Sequence, residues 1–275
     1  MNYSKIVTDT IEEHKTKPID MLGNGSTGEY NYLNLLKWSY LRTVQEIDVL
    51  LGPDREQKEI LEIGSFLGVV SVSLKKMGYR VSASDIPEFH QSESLQTLYK
   101  DNDIQFDSIN LRNRTLPYES NSFDAIVICE VMEHLNFNPL PVLLEINRVL
   151  KDDGIIYIGM PNQTHITKRI KMAMGFSIEN DIDDFFAQLD ATQNMIVGLH
   201  WREYTLSETS NMIERLGFKV LRKYYPYKGC VKMNSIKGLL LNLLYIIPSF
   251  RPHQVVIGKK TDNPDFDFWI TDANS

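Results

Sequence analysis

The stretch Ile60–Ile86, ILEIGSFLGVVSVSLKKMGYRVSASDI, decides the fold. It opens on a short apolar run, Ile60–Ile63, and turns through a loop with a glycine at each end. It continues as a helix over Val69–Met77, stops at Gly78, and returns as a second apolar run, Tyr79–Ala83, leading to Asp85. Strand, turn, helix and strand in that order predict a parallel βαβ unit. Its first turn lies at the carboxyl end of a strand, where open α/β sheets bind ligands. The loop reads Glu62-Ile63-Gly64-Ser65-Phe66-Leu67-Gly68. A dinucleotide fold keeps G-x-G-x-x-G here so that backbone can approach a pyrophosphate, and a P-loop adds a lysine. This loop has Phe66 where the middle glycine would stand and no such lysine, which disfavours a phosphate cradle.

Outward from this unit, strand and helix continue to alternate. Ile104–Ile109 predicts a third strand, Phe123–Cys129 (FDAIVIC) a fourth, Val142–Leu150 a helix and Ile155–Met160 a fifth strand. Alternation of this kind implies parallel strands with crossover helices, a doubly wound α/β sheet. After Pro161 it lapses into a helical, mixed-charge insertion over 162–200. Thr205-Leu206-Ser207-Glu208 is a capping box opening a helix that ends near Gly217. Phe218–Tyr225 and Gln254–Gly258 predict the sixth and seventh strands, with a helix around Ile236–Ile247 between them. Upstream, apolar residues from Leu33 to Leu51 recur at helical spacing and Gly52-Pro53 stops that helix. Residues 1–20 are polar and carry little pattern, and 21–30 form a glycine-rich loop. The expected organisation is an N-terminal helical segment or lid over 1–54, a main domain over 55–260 and a tail over 261–275. The insertion and an extra helix at 235–248 belong to the main domain, and Phe266, Phe268 and Trp269 could pin the tail.

The chain has 275 residues and a formal net charge of −7, which argues against nucleic acid as the main partner. Cys129 and Cys230 are the two cysteines and neither sits in a CxxC pair, so a disulfide scaffold and a zinc site are disfavoured. The N-terminus lacks the apolar core of a secretory signal, and GLLLNLLYII (Gly238–Ile247) is too short to span a bilayer. A cytoplasmic protein without a transmembrane segment is expected.

Two carboxylates narrow the ligand. Asp85 follows Gly64 by 21 positions, where a carboxylate can accept both hydroxyls of a ribose. Glu62 is a charge in an apolar strand end and needs a cationic or hydrogen-bonding partner. A ligand with a ribose, a positive charge and no phosphates fits both residues and the loop, and S-adenosylmethionine is such a ligand. LEIGSFLG (61–68), SASDI (82–86), LPYESNSFDAIVICEVMEHL (116–135), EINRVLKDDGIIYIGMPN (145–162) and HWREYTLSETSNMIERLGFKV (200–220) follow one another in an order that resembles class I S-adenosylmethionine-dependent methyltransferases acting on small molecules and glycans. The resemblance implies a Rossmann-like seven-stranded sheet with a helical insertion after the fifth strand. It implies that Glu62, Gly64 and Gly68, with Ser65 and Phe66, line the methionine part of the cofactor. Asp85 would hold the ribose and Ile86 would pack on the adenine. Asn110 and Leu111 would reach the adenine edge, and Cys129 and Glu130 would lie beside the reactive methyl.

Methyl transfer from a sulfonium is an in-line displacement in which the protein mainly aligns the acceptor. A hydroxyl acceptor also needs a base, and histidine suits that at neutral pH. His134 and His200 are the candidates, each also readable as a bracing or packing residue, with Glu133 and His165 behind them. Lys168, Arg169 and Lys171 form a basic cluster that an anionic acceptor or a solvated helix face would explain. Asp181, Asp183 and Asp184 read as helix-start acids, and no metal is expected. The terminal layout resembles methyltransferases of bacterial surface-polysaccharide and natural-product pathways. The reading is therefore O-methylation of a small-molecule or glycan acceptor. The alternatives are N-methylation, a dehydrogenase that the missing G-x-G disfavours, and a non-catalytic binding protein of the same fold. The Leu-rich helix at 236–247 could be core, an interface or a shallow membrane contact, and no oligomeric state is implied.

Overall fold

A computed structural model describes residues 1–21, 25–186, 198–227, 236–261 and 264. Seven strands form one sheet: β1 (Glu59–Ile63), β2 (Arg80–Asp85), β3 (Gln105–Ser108), β4 (Phe123–Cys129), β5 (Leu150–Pro161), β6 (Phe218–Tyr224) and β7 (His253–Lys260). Their order is β3-β2-β1-β4-β5-β7-β6. The first five are parallel, as the alternation predicts. β7, which lies beyond the alternating stretch, runs antiparallel to both β5 and β6. The reason is where the chain re-enters. His253 opens β7 opposite Pro161, the last residue of β5, and Val255 pairs with Tyr224, the last of β6. A strand that begins where its neighbours end needs no crossover and can only run back along them.

Side-chain alternation splits the core in two. On β4, Ala125, Val127 and Cys129 join one apolar cluster, while Ile126 and Ile128 join the other. The first face is covered by α1 (Tyr3–Thr16), α2 (Tyr30–Leu51), α3 (Val69–Lys76) and the short pair α4 (Pro87–His90) and α5 (Glu93–Asp101). The second is covered by α6 (Leu140–Val149) and α9 (Leu206–Arg215), whose capping box forms as predicted between Thr205 and Glu208. The described part of the insertion holds α7 (Ile166–Ala173) and α8 (Ile182–Phe186), and α10 (Ile236–Leu244) precedes β7. Cys230 and the tail aromatics Phe266, Phe268 and Trp269 lie outside the described residues.

The first 20 residues, which carry little pattern in the sequence, contain α1, which buries Val7, Thr10, Ile11 and His14 on one face. Val7 and Ile11 are four apart, so one apolar stripe was present in the sequence, but it is narrow and surrounded by charge. What anchors α1 and α2 is polar. The buried carboxylate of Asp48 accepts from Arg55 Nε at 2.6 Å, Tyr79 OH at 2.7 Å and Tyr3 OH at 2.7 Å. One side chain thus ties both N-terminal helices to the start of the sheet. Burial pushes the carboxyl up, but the bonds from Arg55, Tyr79 and Tyr3 outweigh it and hold Asp48 below its usual value. Asp48→Ala should cost roughly 2–4 kcal/mol, the scale for removing one side of a largely buried charged network. Urea denaturation would measure it. Because the folded value is depressed, this stabilisation is present above the ordinary aspartate range and is lost as pH falls through the folded value.

Candidate functional site

The order β2-β1-β4 puts a topological switch between β1 and β4, and the site is built at that end of the sheet. The β1 loop turns with Gly64 and Gly68 at positive φ, 72° and 70°. Gly64 is doubly required, because a Cβ there would stand 2.3 Å from Val131 Cγ2. Phe66 takes φ 46°, so it keeps the left-handed backbone that a glycine would supply. Two things hold it there. Its amide donates to Asp85 Oδ2 at 2.7 Å, and its ring packs edge-on between Tyr32 (5.9 Å) and Phe89 (5.4 Å). The second Asp85 oxygen accepts from the Ile86 amide at 2.8 Å. Burial pushes the Asp85 carboxyl up to about 6 although both amides pull it down.

Glu62 finds its expected partner within the fold. It accepts from Ser71 N at 2.8 Å and from Ser71 Oγ, in the first turn of α3. Burial still pushes it up to about 8. Two buried carboxyls poised to ionise, at the ends of adjacent strands, suit a ligand that brings hydroxyl donors and a cation. Ser65 Oγ accepts from Tyr99 OH at 2.7 Å, which fixes the loop from below. Ile86 is half-buried against the same core as Phe66. Asn110 uses its side-chain oxygen to cap a short 3-10 turn at Arg112 N, with Leu111 half-buried beside it.

At the end of β4 the expectation divides. Glu130 turns with φ 56° and its carboxylate accepts from Ser39 Oγ at 2.8 Å, with His253 Nδ1 3.5 Å away. Burial raises Glu130, but His253, Ser39 and Arg42 outweigh it and keep the group low and ionised. The Cys129 thiol lies against Ser39 and Thr43 of α2 (3.6 and 3.5 Å), and burial pushes it up to about 12. It is a packing group under α2, and only its backbone ends at the site.

Beyond β4 the two histidines come together, their rings 5.0 Å apart and edge-to-face. His134 Nδ1 lies 2.8 Å from the Leu199 carbonyl, and His200 Nδ1 lies 2.8 Å from Glu203 Oε1. Carbonyl and carboxylate can only accept, so each Nδ1 carries the proton and each neutral ring keeps a lone pair on Nε2. Burial lowers His134 below the ordinary histidine value. Glu133 is buried, one of its oxygens has no hydrogen-bond partner, and burial with the Glu130 and Glu203 charges raises it well above the usual range. A ligand atom from each of Glu133, His134 and His200 falls within 4.8 Å of the others, a donor set that a divalent cation accepts. The sequence reading weighed these residues singly, and the fold makes them a cluster by hydrogen-bonding Trp201 N to Glu133 O at 2.7 Å.

The remaining candidates are more dispersed. Lys168 pairs with Glu203 at 2.5 Å, Arg169 bonds the Thr164 carbonyl and stacks 5.1 Å over Phe250, and Lys171 is exposed. His165 caps α7 beside Thr167, and burial lowers it to about 4. Asp181 accepts from the amides of Asp183 and Asp184 at the start of α8, as a helix-start acid does. Glu203, Tyr32, Ser39 and His253 are additions that the sequence reading missed. Glu203 was legible in principle, three residues after His200. The α2 residues were not, because a helix far upstream gives no local sign of what it covers.

Asp85 should act as a carboxylate when it accepts ribose hydroxyls. Affinity for S-adenosylmethionine should then fall as pH drops through about 6. Asp85→Ala should weaken binding by about 1.5–3 kcal/mol, the scale of hydrogen bonds to a charged group. Calorimetry, with circular dichroism as the control on folding, checks both. Unchanged affinity in an intact fold would remove Asp85 from the site.

Comparison with known proteins bears on the domain and the fold. A family described as methyltransferase domain matches residues 61–158, from β1 into β5. The ubiquinone biosynthesis O-methyltransferase of Actinobacillus pleuropneumoniae serotype 7 is 28% identical over 149 residues, which cover 51% of this chain and 58% of that one. The protein of that name from Nitrosococcus oceani is 25% identical over 165 residues, 60% of this chain and 67% of that one. The chain thus spans less than two thirds of the first of these relatives. Among solved structures, a SAM-dependent methyltransferase from Archaeoglobus fulgidus superposes with a TM-score of 0.55 at 17% identity, covering 84% of this chain and all of that one. A methyltransferase solved in complex with the Haloferax volcanii Trm112 activator gives 0.57 at 14% identity, covering 95% and 98%. At these identities the structures speak for the fold. The chain thus carries a methyltransferase domain over residues 61–158 on a fold that SAM-dependent methyltransferases share, and S-adenosylmethionine is the cofactor that domain implies.

Proposed function

We propose that this protein transfers the methyl group of S-adenosylmethionine to a hydroxyl of a small-molecule acceptor. The observation that carries the reading is the pair His134 and His200, each with Nδ1 engaged and Nε2 free, beside the end of β4. When bound, S-adenosylmethionine supplies a methyl on a sulfonium, already a good leaving group. What the protein adds is alignment and a base. Glu203 orients His200 as a carboxylate orients the histidine of a catalytic dyad. The curated relatives named above are O-methyltransferases by name, which supports an oxygen acceptor. The intact Glu62 and Asp85 speak against a non-catalytic binding protein.

Within that reading, a sugar hydroxyl of a surface polysaccharide or a natural-product precursor is the acceptor class we favour, acted on in the cytoplasm. The same base would serve it. An anionic acceptor draws less support, because Glu203 already engages Lys168, and Thr164 and Phe250 engage Arg169. No helix among the described residues is long and apolar enough to cross a membrane.

A second reading has its own observation. Glu133, His134 and His200 bring three ligand atoms within 4.8 Å, and a divalent cation held there would acidify the acceptor hydroxyl in place of a base.

His134→Ala should lower kcat by roughly 10²–10⁴-fold and leave affinity for S-adenosylmethionine near wild type. Because burial lowers His134, the acid limb of the wild-type rate should lie below about pH 6.5, and the variant should lack it. Radiolabelled methyl transfer to a panel of phenols, sugars and nucleotide sugars would supply the assay. Activity that survives EDTA supports the base; activity lost to EDTA and restored by a divalent cation supports the cation. If neither histidine affects kcat, an amine acceptor becomes the better reading.

A further inference from the structure

The face of α10 is unlike the rest of the surface. Leu239, Leu240, Leu243, Ile246 and Ile247 are 47–63% exposed and recur at positions i, i+1, i+4, i+7 and i+8. That spacing gathers them on one stripe of the helix and of the turn that continues it. An exposed, wholly aliphatic stripe of five large side chains marks a contact surface rather than an ordinary monomer surface. On the other side of the helix, Tyr245 is buried and its carbonyl accepts from Arg251 Nε at 2.8 Å. The stripe is therefore presented outward by a helix already anchored on its inner side.

The sequence on either side of it is one-sided in charge. Lys223 to Arg251 contains five lysines and arginines and no aspartate or glutamate, in a chain whose 36 acids outnumber its 29 bases. Arg251 stacks 4.9 Å over the Tyr227 ring at the base of α10. Arg169 of α7 stacks over Phe250, which brings α7 beside the turn after α10. Lys171 is exposed there, with Ile170, Met172 and Met174 as exposed apolar neighbours.

We propose that α10 docks on an anionic lipid bilayer, lying in the interface with its aliphatic stripe among the acyl chains and the basic flanks at the headgroups. Aliphatic area and basic charge together are what an interfacial helix needs, and neither suffices alone. Nine residues cannot span the bilayer, so the helix lies on it. The position has a use. The buried Asn162 side chain at the end of β5 donates to Ser249 O (3.0 Å) and Arg251 O (2.8 Å), and His253, two residues on, faces Glu130. Docking would hold the mouth of the site against the membrane surface, where an amphiphilic hydroxyl acceptor can reach it without leaving the lipid.

Flotation of the full chain with vesicles tests the proposal. Vesicles of phosphatidylglycerol and phosphatidylcholine should carry the wild type up the gradient, pure phosphatidylcholine should carry less, and high salt should release it. Leu240→Asp with Leu243→Asp should weaken partitioning about tenfold or more, given the apolar area withdrawn. Circular dichroism and affinity for S-adenosylmethionine should stay unchanged, because both side chains are exposed and belong to neither apolar core. Leu239→Ser with Leu243→Ser is a milder variant read the same way. The proposal is overturned if the wild type ignores anionic vesicles or if the variants float equally well. A dimer by light scattering that these variants dissolve, with no vesicle binding, would instead make the stripe a contact between copies and overturn it too.

Discussion

The 2.7 Å bond from the Phe66 amide to Asp85 is the constraint on which the cofactor end of the molecule depends. It holds a bulky side chain in a left-handed backbone that costs free energy by itself. It also joins the loop after β1 to the end of β2, so the two strand ends cannot drift apart. Ser84 O reinforces the joint by accepting from both Gly64 N and Ser65 N. The ring that the strained residue carries is then free to contact Tyr32 from α2 and Phe89 from α4. A glycine would take the same backbone conformation more easily and would lose that contact. The N-terminal helices are thus coupled to the cofactor loop through one aromatic side chain.

Buried acids recur through the site, and they are kept in different protonation states. Glu62 and Asp85 are pushed up by burial with hydroxyl and amide donors to balance them only in part. Glu130 stays low because Ser39, Arg42 and His253 surround it. Glu133 is driven high by burial and by its neighbours Glu130 and Glu203. Carboxyls placed this close together cannot all ionise, so their environments separate them. The arrangement sets two raised carboxyls at the ends of β1 and β2 and a neutral acid next to two histidines.

The sequence was most legible where a single local pattern decides. FDAIVIC is β4 to the residue, α2 ends at Leu51 where Gly52-Pro53 stops it, and the Thr205–Glu208 box caps α9. The placement of Glu62, Gly64 and Asp85 at the ends of β1 and β2 was legible because a strand-end loop and the next strand's end are fixed in sequence distance. The direction of β7 was not, because nothing in Gln254–Gly258 states which neighbours it will pair with. The meeting of His134 with His200 was hidden for the same reason. It depends on the bond from the His134 ring to Leu199 O, 65 positions on, and on the Trp201 and Arg202 amides that donate to Glu133 O, and such closures leave no local mark. Phe66 looked like a departure from the loop pattern, yet its backbone conformation is the one the pattern needs.

The place of β7 has a consequence for how the chain is made. Among the described residues, β6 pairs with no strand but β7, and β7 alone lies against the outer edge of β5. During synthesis β5 therefore emerges with an open hydrogen-bonding edge of apolar residues, and roughly a hundred further positions must follow before His253–Lys260 closes it. Until then the nascent sheet is a template for any other extended segment, including one from a neighbouring ribosome. Shortening the chain ahead of β7 would leave that edge open for good. Such a product should be far more prone to aggregate than the loss of eight residues from a folded surface would suggest.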